Sequence, residues 1–267
     1  MTRRLRCAAA LLCAAACGGA GGQEGSPAEG DTTRTTTTLG SSSTTSAPST
    51  TVTTTTAIAT TAPPSSSPPA TPPTDPPPAP PPFASSVATI TADDVAASWH
   101  EGCPVAVEQL RLLTLTHWGF DGAVHTGRLV VHADHADTVV AVFADLYAVG
   151  FPIERMEPID AYGGDDDASM AANNTSAFNC HPVTGGSSWS EHAYGTAIDI
   201  NPVQNPYVKG PTVLPEAGRV YVDRREPEPG KIRAGDDVVG AFSARGWGWG
   251  GYWSSLKDYQ HFSASGR

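Results

Sequence analysis

Between Gly25 and Pro82 the only large aliphatic residues are Leu39, Val52 and Ile58, and nearly all the rest is Thr, Ser, Pro, Ala and Gly. Such a stretch cannot bury enough apolar area to offset its chain entropy, so the sequence predicts a disordered tether. Its prolines cluster late, in PPSSSPPATPPTDPPPAPPP, where a stiff polyproline II rod is expected. The 267-residue chain therefore has one stretch left in which to build a core, from about Phe83 onward.

The first residues, MTRRLRCAAALLCAAAC, place three arginines before an uncharged apolar run too short to span a bilayer. That is the pattern of an export signal. Cys17 ends the run between Ala15-Ala16 and Gly18-Gly19, as in a bacterial lipobox, so a lipidated N-terminus at Cys17 is expected, with cleavage after Ala16 and secretion as the other outcome. The expected organisation is a signal peptide over 1–17, a Thr/Ser/Pro-rich linker over 18–83 and one domain over 84–267. The chain is placed in the cell envelope on the outer side of the membrane, or outside the cell.

The net charge of −11 falls on the domain, because leader and tract nearly balance. An acidic domain with no Lys/Arg cluster argues against nucleic acid as a partner. Membrane contact is expected only through the lipid anchor, and a monomer is expected. Of five cysteines only Cys103 and Cys180 remain in the domain, and export predicts that they form a disulfide.

Along the domain, TADDVAASWHEG carries a capping signal from Thr91 to Asp94 and predicts a short helix. QLRLLTLTHWGF and GRLVVH predict strands. ADTVVAVFADLYAVG has helical spacing and a stop at Gly150, and PIERMEPI predicts a strand. Residues 160–190 are mostly polar and are expected to loop over the surface, Asp165 to Asp167 as a solvated turn. GTAIDIN predicts a strand, Pro202 to about Gly235 a long excursion, and DDVVGAFSARG a helix capped by Asp236 or Asp237. GWGWGGYW and YQHFS predict closing strands and turns. Together these imply an α+β domain with a mainly antiparallel central sheet.

The chemistry concentrates in SWSEHAYGTAIDINP and KDYQHFS. A catalytic zinc needs three nitrogen or oxygen ligands and an open position. His192 and Asp199 are two candidates, with Gly195 permitting the return that brings them together. His261 is the third, and Asp258, three residues before it, can serve as the carboxylate that takes a proton from a metal-activated water.

Ser190-Glu-His192-Ala-Tyr-Gly195-Thr-Ala197-Ile-Asp199-Ile-Asn201, then Trp249-Gly-Gly-Tyr-Trp253, then Asp258-Tyr-Gln-His261-Phe262, resembles peptidase family M15. That family comprises the zinc D-alanyl-D-alanine carboxypeptidases and L-alanyl-D-glutamate peptidases. The resemblance runs from about Ile153 to Phe262. It implies the Hedgehog/DD-peptidase fold, a Zn2+ held by His192, Asp199 and His261, and hydrolysis of peptidoglycan stem peptides, by carboxypeptidase or endopeptidase action. It places Asp258 as catalytic carboxylate. It also implies an upstream arginine to polarise the scissile carbonyl, for which Arg155 is the candidate, while His181 stands where a basic arginine is expected. Ser190, Tyr194 and Trp249 are expected to contact substrate, with Trp189 and Trp253 as further walls. A non-catalytic zinc-containing cell-wall binding module of the same fold is the alternative.

Overall fold

The computed structural model describes residues 79–183 and 185–267. The signal segment, Cys17 and the tract as far as residue 78 lie outside the described residues. Among the described residues no helix is long and apolar enough to cross a membrane.

Phe83 packs on Tyr147, ring centroids 5.7 Å apart, and β1 (Ser85–Thr89) follows directly. β1 pairs antiparallel with β2 (Leu110–Trp118), and β2 pairs antiparallel with β3 (Val124–His132). Alternation along β2 buries Leu113, Leu115 and His117 on one face. Helix α1 (Ala136–Ala148) covers that layer with Val139, Val142, Phe143 and Leu146 and stops at Gly150, whose φ is 68°. The helix expected after Thr91 is one 3-10 turn, Ala92–Val95. Asp94 does accept from the Thr91 N–H at 2.8 Å. The Asp160 carboxylate then takes the Ala97 and Ser98 N–H groups and draws the chain out of helical geometry.

Two expectations for the middle of the domain are corrected. PIERMEPI forms only the short β4 (Arg155–Met156), flanked by Pro152 and Pro158. Residues 160–190 do not simply loop over the surface. After a 3-10 turn at Ile159–Tyr162 come α2 (Asp166–Ala171) and β5 (Asn174–Thr175), which is parallel to β4, and every residue from Asn173 to Cys180 is buried. Asparagines make this burial tolerable. Asn174 accepts from the Glu157 N–H and donates to the Glu157 carbonyl, while Phe178 N–H donates to Val130 O of β3.

β6 (Ala197–Asp199) follows a 3-10 turn at Glu191–Tyr194. The excursion from Pro202 holds a small hairpin, β7 (Tyr207–Lys209) and β8 (Thr212–Leu214). Helix α3 (Asp237–Ser243) begins at Asp236, whose carboxylate accepts from the Val239 N–H. β9 (Gly248–Trp249), β10 (Lys257–Asp258) and β11 (His261–Ser263) close the described chain. β11 lies antiparallel between β6 and β9, and β10 pairs antiparallel with β7. All pairings except β4–β5 among these strands are antiparallel, so the domain is α+β as expected.

The core joins the hairpin layer and α1 to β6, β11 and α3. Phe262 stacks on Phe242 of α3 with centroids 4.0 Å apart. A second apolar group, with Val95, Leu110, Val130 and Phe178, surrounds the disulfide joining Cys103 and Cys180.

Candidate metal centre and cleft

Strand alternation and one cross-strand register generate the centre. In the β6–β11 ladder Ile198 lies opposite Phe262, and Asp199 opposite His261. Successive side chains point to opposite faces, so the apolar pair enters the core while the polar pair faces the cleft. His192 arrives from the 3-10 turn that Ser190 caps and Gly195 ends. Gly195 has φ 67°, and a Cβ there would lie 2.6 Å from His132 N, so glycine is required on both counts.

The three side chains converge. His192 Nε2 is 3.2 Å from His261 Nδ1 and 3.2 Å from Asp199 Oδ2, and His261 Nδ1 is 3.1 Å from Asp199 Oδ1. Each imidazole commits its other nitrogen to a main-chain oxygen. His192 Nδ1–H donates to Ala177 O at 2.6 Å, and His261 Nε2–H donates to Arg267 O at 3.2 Å. In their neutral form the rings therefore turn lone pairs inward, beside a carboxylate. Ligand atoms at about 2.0–2.1 Å from a tetrahedral zinc stand about 3.3–3.4 Å apart, close to the separations found. The fixed outer nitrogens are the orientation that metal-binding histidines require.

The electrostatics make the same demand for a cation. Burial works against charging His192, yet the adjacent Asp199 outweighs it and raises its pKa to about 9. Burial likewise opposes charge on Asp199, but His192 and His261 hold it well below the usual carboxylate range. A cation among these atoms satisfies the carboxylate, and a divalent ion does so while leaving both histidines neutral. The donor set fits zinc.

The ligand candidates open onto a cleft of about 790 Å³. Asp258 lines it from β10, whose partner Tyr207 belongs to the excursion. Burial, and then repulsion from Asp199, push the Asp258 carboxyl up to about 7. Its Oδ1 is buried and finds no hydrogen-bond partner among the described residues. The glycines of WGGYW have a steric reason. A Cβ on Gly250 would meet Asp258 O at 2.6 Å, and one on Gly251 would strike the Trp249 ring at 2.3 Å.

Not every residue named from the sequence reaches the cleft. Ser190 and Tyr194 do, Ser190 buried as the cap of the His192 turn and Tyr194 at the exposed rim. Trp189 and Trp253 line it as well. Trp249 does not. It is 5% exposed, lies in the core with Phe262, and donates its indole N–H to Tyr259 O. The Gly250-Gly251 turn explains this placement, since it folds the chain back over the ring. Arg155 is exposed on β4 and is not among the cleft-lining residues.

Three further residues line the cleft: Asp166, read from the sequence as part of a solvated turn, His181, noted there only as standing in place of an arginine, and Arg267, which sequence reading missed. Asp166 lines the cleft from the first turn of α2, whereas Asp165 is the helix cap and accepts from the Ala168 N–H. A run of three aspartates looks solvated in sequence, but D-D-D-A-S-M also reads as a cap followed by a half-buried first turn. His181 lines the cleft and stacks on His192 at 6.0 Å. Arg267 is the sole Lys or Arg among the lining residues.

Residues 184–264, which contain His192, Asp199, Asp258 and His261, match the family model described as D-alanyl-D-alanine carboxypeptidase, of the M15 peptidases. No curated protein and no solved structure matches the chain. The motif's residues meet in one cleft, Asp199 and His261 on adjacent strands and both histidines with their outer nitrogens fixed, and over residues 184–264 the chain is similar to the M15 peptidases.

Proposed function

We propose that the protein is a zinc metallopeptidase that hydrolyses peptide bonds in peptidoglycan stem peptides, in the manner of a D-alanyl-D-alanine carboxypeptidase, on a domain of the Hedgehog/DD-peptidase type. The observation that carries this reading is the inward convergence of His192 Nε2, His261 Nδ1 and the Asp199 carboxylate in the cleft that Asp258 also lines. His192, Asp199 and His261 would hold the ion. Zinc bound there supplies a Lewis acid that polarises a carbonyl and brings the pKa of water from 15.7 to about 7.

The remaining work falls to the chain. Asp258, with its carboxyl pushed up to about 7, is suited to take a proton from the attacking water and return it to the leaving amine. Trp189 and Trp253 wall the peptide, and Tyr194 meets it at the rim. The Ala177 carbonyl and the main-chain oxygen of Arg267 keep both histidine rings oriented throughout. The same proposal takes in the leader and tract: export, then tethering to the envelope through Cys17 or release, with the Thr/Ser/Pro segment as spacer.

The test uses the purified chain. One zinc per chain is expected, and His192→Ala should lose it. Asp258→Ala should keep the zinc while hydrolysis, read by mass spectrometry of digested muropeptides, falls by about 10²–10⁴-fold. An undiminished rate in Asp258→Ala would remove it as the base. Zinc retention with no cleavage by the unaltered protein would favour a binding module.

A further inference from the structure

Asp166 and His181 face the cleft and have no part in the chemistry above. Asp166 is half-buried, and no hydrogen bond or ion pair joins its carboxylate to another side chain among the described residues. His181 stacks on His192 and donates Nδ1–H to Pro182 O at 2.9 Å, which leaves a lone pair on Nε2. Both are therefore hydrogen-bond acceptors.

The charges lining the cleft sharpen the point. Its carboxylates are Asp166, Glu191, Asp199 and Asp258. Glu191 accepts from Thr196 and Ser265 and has the Arg267 guanidinium 3.9 Å away. Asp199 is balanced within the metal centre, and Asp258 is the proton carrier. Asp166 is left with no ion-pair partner among the described residues and no part in the chemistry, and burial, followed by repulsion from Asp199, outweighs His192 and His181 in disfavouring its ionised form. A ligand that brings a positive charge relieves both.

We propose that Asp166 and His181 Nε2 form a subsite for the ammonium group of an amine-bearing peptide substrate. This rests on the peptidase reading and adds to it the substrate class. A primary ammonium has three N–H donors and no acceptor, which matches two acceptors facing a cleft, the third donor remaining for water. A carboxylate end would meet repulsion at Asp166, and a neutral aliphatic side chain would leave both acceptors unpaired.

The experiment compares two pentapeptides of stem-peptide sequence, α-N-acetylated alike, one carrying lysine at its third position and the other norleucine. Binding is measured by calorimetry to the zinc-loaded full chain carrying Asp258→Ala, so that turnover does not intervene. The lysine peptide should bind at least about tenfold more tightly, as expected for losing one charge-assisted hydrogen bond. Asp166→Asn should close that gap with zinc still at one per chain, and His181→Phe, which keeps the stacked ring, should narrow it if the first variant does not fold. Equal affinities for the two peptides overturn the subsite, as does a second zinc bound through Asp166 and His181. Cleavage assays on the unaltered chain separate the two readings. Discrimination without cleavage would defeat the peptidase and keep the subsite, whereas cleavage without discrimination would do the reverse.

Discussion

The β2–β3 hairpin with α1 and the irregular segments at residues 173–180 and 200–205 are both brought into the interior, but by different forces. In the first, leucines, valines and Phe143 meet across a strand–helix layer, and area removed from water is the main source of stability. In the second, four asparagines wire irregular backbone together. Asn173 holds Val203 and Gln204, and Asn174 holds Glu157. Asn201 holds Glu154 and Pro152. Asn205 donates to the Ile200 and Gly230 carbonyls and accepts from the Ile232 N–H and Arg224. The hairpin side tolerates a change of apolar shape. The asparagine side depends on direction, because each bond lost leaves a buried polar group without a partner. The candidate metal centre lies where the two regions meet, with His192 oriented by Ala177 of the polar run and β11 anchored by Phe262 in the apolar core.

Paired substitutions of similar volume would break this contrast most directly. Asn205→Leu should destabilise by at least about 3 kcal/mol, since several buried partners lose their bonds together. Leu113→Met, in the hairpin layer, should cost less than about 1.5 kcal/mol. Denaturant titration measures both, and comparable losses would mean that the two regions are not held differently. Reducing the disulfide, which closes a separation of 77 residues, should cost about 2–4 kcal/mol and lower the melting temperature. Because Cys180 ends the run that carries Ala177, reduction should also weaken zinc retention, and unchanged zinc content would uncouple that run from the centre. The smallest effect concerns the one histidine inside the apolar layer. Burial, helped by nearby His125, lowers the His117 pKa below its ordinary 6.5. The unfolded chain then binds more protons than the folded one below about pH 6.5, so this stability is complete above that pH and declines on acidification. His117→Asn should flatten the melting-temperature profile between pH 7 and 5, and an unaltered slope would acquit His117.

The sequence foretold both strands of the hairpin and both longer helices because each rests on a short-range period and a stop, while the expected antiparallel pairing is spread over several small sheets rather than one central sheet. β2 alternates, α1 repeats every three or four residues, and Gly150 and Gly246 terminate. The His192, Asp199 and His261 group was legible for a related reason, as both partial motifs lie on local turns and strands that fix side-chain direction. NNTSAFNC was misread because polar composition suggests exposure, whereas its asparagines turn inward to serve the backbone. Alternating Phe178 and Cys180 was the available sign of burial. Trp249 was misplaced because a glycine-flanked tryptophan has the same spelling whether it covers a cleft or fills a core. Only the fold over Gly250 and Gly251 distinguishes them. Arg155 was chosen by elimination along the chain, and distance in space does not follow that order.

Asp199 and His261 sit across from each other on neighbouring strands, 62 residues apart in the chain. A slip of one position would send each to the opposite side, so an ion can lodge only in molecules whose final ladder has closed in the proper frame. Under the proposed function, hydrolytic competence would thereby be tied to finished assembly: copies that stall before the last strand docks would lack the three-ligand group altogether.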